Sequence, residues 1–218
     1  LAARDAVHPG LWTVVPAKAF RLEVDGVSVH DMRTGPLTPP PLGVEPMTRA
    51  ILFEGLFVHG LPRNEHFEEE MREAGFDRDD LLPQYPLRLF RQCLDLACKH
   101  FYPGLTVEEG RRRLGQQFVQ GFSQTVLGRV VSVSLPLLGP ARFLKKFPEH
   151  LRFDSSPILV NAVQVAERQF RMEFRTGVGL SPYFLRGLLE EGLRMTRATP
   201  AIRVTQPSPI SFDLHITW

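Results

Sequence analysis

The residues whose types and spacing bear on chemistry fall into three groups. Phe118 and Phe122 stand four apart in a segment with helical periodicity, Phe170 and Phe174 alternate in a strand-like run, and Phe184 sits in a later helical segment. If helices cover a sheet, these five rings meet there, and they then either line a pocket for a small apolar ligand or fill a closed aromatic core. The second group is Arg142, Lys145 and Lys146, a cationic cluster just after a Gly-Pro break, placed to contact an acidic partner. The third is the consecutive Arg111, Arg112 and Arg113. On a helix these fan over about 200° and so form no single phosphate cradle, and Glu108 and Glu109 beside them suggest a solvated, ion-paired face.

Catalytic and metal-binding patterns are weak. No Gly-x-Ser-x-Gly occurs, and Ser123 and Thr125 lie inside the helical periodicity, where hydroxyls usually satisfy backbone. The seven histidines are scattered without zinc-ligand spacing, and His59 and His66 read as surface residues. Neither a catalytic set nor a metal site is assigned, and the cofactor is left unknown. Cys93 and Cys98 are five apart in one helical segment, so their side chains diverge and a disulfide between them is not expected.

The elements that must position these groups are readable from period and punctuation. Residues 12–31 predict a β hairpin turning at Asp25-Gly26, and four prolines between Thr34 and Gly43 mark a linker. This predicts two parts: a hairpin with its linker over 1–43, and a domain over 44–218. Residues 49–61 are apolar and β-compatible, with helix as the close competitor. Asn64 caps a short helix that Gly75 stops, and Pro86 opens another to about Phe101. Thr106-Val-Glu-Glu109 is a capping box for the longest helix, on which Leu114, Phe118, Phe122, Val126 and Val130 repeat at four. A short helix follows over 141–147. After Pro157 the period drops to two, giving strands at 160–166 and 169–176, a helix from Ser181-Pro182 to about Arg197, and strands at 201–205 and 210–218. The expected fold is α+β: an antiparallel sheet with about four helices packed on one face, plus the N-terminal hairpin.

Composition bounds the function. Among 218 residues, 26 Lys+Arg face 24 Asp+Glu, and a net charge of +2 argues against a dedicated nucleic-acid binder. The aromatics are 16 Phe against 3 Tyr and 2 Trp, mostly rings with no polar handle. No apolar run of 18 or more residues or secretory leader is visible, and the two cysteines fit a reducing compartment, so a cytoplasmic location is expected. Residue 1 is Leu, which suggests a trimmed fragment.

Longer segments carry a family resemblance. FEGLFVHGL (53–61), EAGFDRDDLLPQYPLRLFRQCLDLA (73–97), FYPGLTVEEGRRRLGQQFVQGFSQTVLGR (101–129) and LLGPARFLKKFPEHLRF (137–153) resemble a myxobacterial paralogous family of unestablished function. A hairpin, then SPYFLRGLLEEGLRM (181–195), then two strands ending in Trp218, resembles the closing half of the 4-vinyl-reductase and haem-NO-binding superfamily, which also holds TRAPP-type trafficking subunits. That second resemblance implies helices over a sheet, sometimes around a hydrophobic ligand, and often a dimer. It also implies a haem test. His100 and His150, each near a helix end, are the proximal-ligand candidates, while Tyr183-Phe-Leu-Arg186 departs from the superfamily's Tyr-x-Ser-x-Arg at the Ser and at the Arg spacing. The function expected is a non-enzymatic signalling or regulatory module binding a partner protein or a small apolar ligand, with a homodimer as one arrangement. The alternatives are a haem or other cofactor sensor, or an enzyme of unassigned reaction.

Overall fold

A computed structural model describes residues 45–151, 158–176, 180–208 and 210–218, all within one compact unit, Pro36–Trp218. The expected N-terminal hairpin lies outside the described residues. Among the described residues the order is β1 (Met47–Arg49), α1 (Ala50–Phe53) running on into a π-helical turn (Glu54–Val58), α2 (Glu65–Ala74), β2 (Gln84–Pro86), α3 (Leu87–Phe101), α4 (Val107–Phe122), α5 (Val126–Leu138), α6 (Pro140–His150), β3 (Ile158–Ala166), β4 (Gln169–Thr176), α7 (Pro182–Met195), β5 (Ala201–Ser208) and β6 (Ser211–Thr217). The strands form a two-stranded ribbon, β1-β2, and a four-stranded sheet in the order β3-β4-β6-β5, every pair antiparallel. The α+β class is as expected.

The sheet is amphipathic by alternation. Phe170, Met172 and Phe174 on β4 and Phe212, Leu214 and Ile216 on β6 are all buried on one face, and Arg171, Glu173, Asp213 and His215 point the other way. The buried face is covered by α6, through Leu144 and Phe147, and by α7, through Leu185, Leu189 and Leu193. A second core lies on the far side of α7, where Phe184 joins Leu114 and Phe118 of α4 and the rings of Phe53, Phe57, Phe76, Tyr85 and Phe90. Helix α7 is therefore a shared wall: its i, i+4, i+8 leucines face the sheet while Phe184 faces the helices.

Glycine sets the depth of the α4–α7 contact. A Cβ on Gly115 would stand 2.0 Å from the Phe184 carbonyl oxygen, and one on Gly187 would stand 1.9 Å from that of Arg112. The two backbones thus touch, leaving no room between them for even a methyl group. Four polar side chains lock the same contact. The carboxylate of Glu190, almost wholly buried on α7, accepts from Arg112 Nε (2.8 Å) and Gln116 Nε2 (2.9 Å) on α4 and from Arg186 Nε (2.8 Å) on α7.

Several sequence readings need correction. The 49–61 stretch is helical after Arg49, not a strand. Phe53, Gly55, Leu56 and Phe57 are all buried, and burial on every side erases the one-sided period that marks a helix. Its end is held by Arg78, whose Nη2 donates to the carbonyls of Val58 (2.5 Å) and Leu61 (3.3 Å). The single long helix is two helices. Thr125 Oγ1 donates to the Phe122 carbonyl (2.8 Å) and accepts from Gly128 N (3.0 Å), ending one helix and capping the next. Val126 and Val130, expected on the buried stripe, are exposed. The helix expected over 141–147 extends to His150.

Candidate functional site

A cleft of about 640 Å³ lies where α3, α4 and the start of α7 meet. Two faces of α3 build it. Leu87, Phe90 and Leu94, with Phe184 of α7, supply apolar lining, while Arg88, Gln92, Asp95 and Lys99 at spacings of four, three and four form a polar rim, with Arg91 beside them. Arg111 of α4 closes the opposite side, its Nη2 2.5 Å from Asp95 Oδ1. Arg88 pairs with Glu45 and Lys99 with Glu70 (3.0 Å). Among the described residues Arg91 makes no ion pair, and Arg111 Nε is buried with no hydrogen-bond partner. The cleft thus joins an apolar lining to four cations and one carboxylate, a setting for a ligand with an apolar body and an anionic head.

A second cleft, about 580 Å³, shares Gln92 and Leu96 with the first and has the opposite charge, being lined by Glu69, Glu70, Glu73 and His66. Glu70 gathers Lys99, His100 Nε2 at 3.2 Å and His66 Nε2 at 3.7 Å, and its carboxyl is held below the usual range chiefly by the Lys99 hydrogen bond. Among the described residues no set of three or more His, Cys, Asp or Glu is placed to hold a metal ion.

The five phenylalanines divide. Phe118, Phe122 and Phe184 come together, with Phe118 5.8 Å from Phe122 and 6.0 Å from Phe184 between ring centres. Phe170 and Phe174 belong to the sheet core, against Trp218 and Phe212, on the other side of α7. Of the five, only Phe184 lines either cleft described. Arg142, Lys145 and Lys146 share the exposed face of α6, opposite the buried Leu144 and Phe147. The arginine run is ion-paired: Arg112 and Arg113 both bind Glu109, and although burial opposes it, their guanidinium groups hold the Glu109 carboxyl below its usual range. Cys93 and Cys98 are free thiols, and burial pushes Cys93 up to about 12, so it stays protonated at neutral pH. Sequence reasoning missed the cleft because its cations are spread over 24 residues; the only available signal was the four-three-four spacing of Arg88, Gln92, Asp95 and Lys99.

The fold is shared with several solved structures. It is similar to a protein studied for haem redox potential set by protein-induced porphyrin distortion (TM-score 0.61, 16% identity, 78% of this chain and 100% of that one). It is similar also to an H-NOX protein from K. algicida in its Fe(II) unliganded form (0.58, 10%, 78% and 96%). A third is an oxygen-binding H-NOX domain related to soluble guanylate cyclases (0.56, 16%, 77% and 90%). The likeness in fold, expected for the C-terminal half, covers 77–78% of the chain. No curated protein matches the sequence significantly.

The first of these neighbours is studied for its haem, and the described residues of this chain do not fit that group. The larger cleft has no His, Cys, Tyr or Met among its lining residues to serve as an axial ligand. His66 is exposed, and His100 is wedged against Phe67, 5.5 Å between ring centres, beside Glu70. Tyr183 and Arg186, the residues set against the Tyr-x-Ser-x-Arg pattern, are both engaged at the α4–α7 contact. The Glu108 carboxylate beside Tyr183, together with burial, pushes its phenol up, and Arg186 binds Glu190. The side chain of His150 lies outside the described residues. The model of the DUF2378 family, proteins of unknown function, matches residues 47–218, and the chain belongs to that family.

Proposed function

We propose that this chain is a non-enzymatic sensor or regulatory domain built on the H-NOX fold, holding a small, mainly apolar molecule with an anionic group in the α3–α4–α7 cleft. The observation that carries the reading is the cleft itself: Leu87, Phe90, Leu94 and Phe184 set against Arg88, Arg91 and Arg111, with Arg91 unpaired among the described residues. The fold supports it, because the neighbours it resembles are haem- and oxygen-binding domains. Ligand state would be read by a partner protein, for which Arg142, Lys145 and Lys146 offer a cationic face. Native mass spectrometry and solvent extraction of protein purified from its source test the ligand, with anilinonaphthalene sulfonate as a probe of the same chemistry. One bound molecule per chain, and a probe site weakened at least ~10-fold by Arg91→Glu, are expected, since reversing an unpaired charge at an anion site costs on the order of 1.4 kcal/mol or more. Probe binding unchanged by Arg91→Glu, with nothing extracted, overturns the cleft.

Haem is the second reading, favoured by the same neighbours. Absorbance before and after haem addition decides it. A stoichiometric Soret band lost in His150→Ala would replace the first reading, and no uptake would end the second.

A further inference from the structure

Helix α5 is the most apolar helix described and among the least covered. Only Gly128 and Leu135, seven apart, are buried, and along that edge it rests on the rest of the domain. The opposite side carries Val126, Val130, Val133 and Leu137, which are 83, 60, 76 and 85% exposed. Their spacing of four, three and four is the alternating a/d spacing of a helix–helix seam, sustained over nearly two heptads. With Leu127 they present on the order of 600 Å² of apolar surface, at the upper end for the largest patch on a monomeric protein.

We propose that α5 is a self-association helix, its stripe packing on the same stripe of a second copy. Area is the first argument: a stable interface takes ~800 Å² from each partner, and this one helix supplies most of that. Charge is the second. From Val126 to Leu138 the only charged residue is Arg129, and its Nε is turned back onto the Gln124 carbonyl (3.1 Å), so a two-fold pairing buries no like charges face to face. A helix lying on an anionic lipid surface instead carries several Lys or Arg on its polar face, and α5 does not.

Sedimentation velocity of the full chain across micromolar concentrations tests this, together with Val133→Asp and Val130→Lys. Both residues are exposed, so both variants keep the parent's circular dichroism and unfold cooperatively, losing only the melting temperature that association adds. The parent is expected to be a dimer, and each variant to associate at least ~30-fold more weakly, as for loss of a central interface residue. A parent that stays monomeric, or variants that remain dimeric, overturns the proposal. So does a monomer that sediments with phosphatidylserine–phosphatidylcholine vesicles and loses that binding in Val133→Asp, which would make α5 a lipid-surface helix.

Discussion

Helices α4 and α5 are consecutive, separated by three residues, and they invert the usual relation between composition and burial. Helix α4 carries Glu108, Glu109 and three arginines and three glycines in 16 residues, yet it runs between the π-helical turn and α7. Helix α5 carries one charge in 13 residues and lies mostly in solvent. Burial here follows backbone fit rather than hydropathy: glycine lets α4 touch its neighbours, and the buried Glu190 finds its partners only because the helices come that close. Apolar residues without such a fit stay outside.

The largest effect expected on that contrast is from Gly115→Val. Its branched side chain would overlap the Phe184 carbonyl, forcing α4 off α7 and costing at least ~4 kcal/mol, enough to leave much of the variant unfolded by circular dichroism. Gly104→Ala, where an added Cβ meets nothing within 4 Å, is the control and should melt with the parent. Next is Glu190→Ala, which leaves Arg186 and Gln116 without their partner at the interface and Arg112 with Glu109 alone, and should lower stability in urea by about 2 kcal/mol. The smallest is Thr125→Ala. Loss of the cap should cost about 1 kcal/mol and appear as faster hydrogen exchange over 126–138 with α4 little changed, because α5 leans on the body along one edge only. Equal acceleration in both helices would mean that they fold as one unit.

Legibility tracked one-sidedness. The β4 alternation of Phe170, Met172 and Phe174, and the caps at Asn64, Thr106 and Ser181, were readable because each signal is local and the flanking periods are clean. The Phe53–Phe57 helix was not, since four of its five residues are buried and the single Glu54 is too little of a polar face to reveal its period. The α4–α5 break was hidden because Phe118, Phe122, Val126 and Val130 keep step through it; Thr125 decides the matter with two hydrogen bonds that leave the hydrophobic pattern intact. Of the candidate site, the rings were legible as residues but not as a grouping, since which side of α7 each takes depends on contacts far apart in sequence. Phe184 lines the cleft; Phe170 and Phe174 lie across the wall from it.

That shared wall also governs the order of assembly. The helices before residue 123 have a core that is incomplete without Phe184, and Glu190 reaches back 78 residues to Arg112. During synthesis the N-terminal helices would wait, with Leu114, Phe118 and the glycine face of α4 uncovered, until α7 leaves the ribosome; closure of one core then presents the leucine face of α7 on which the sheet can condense.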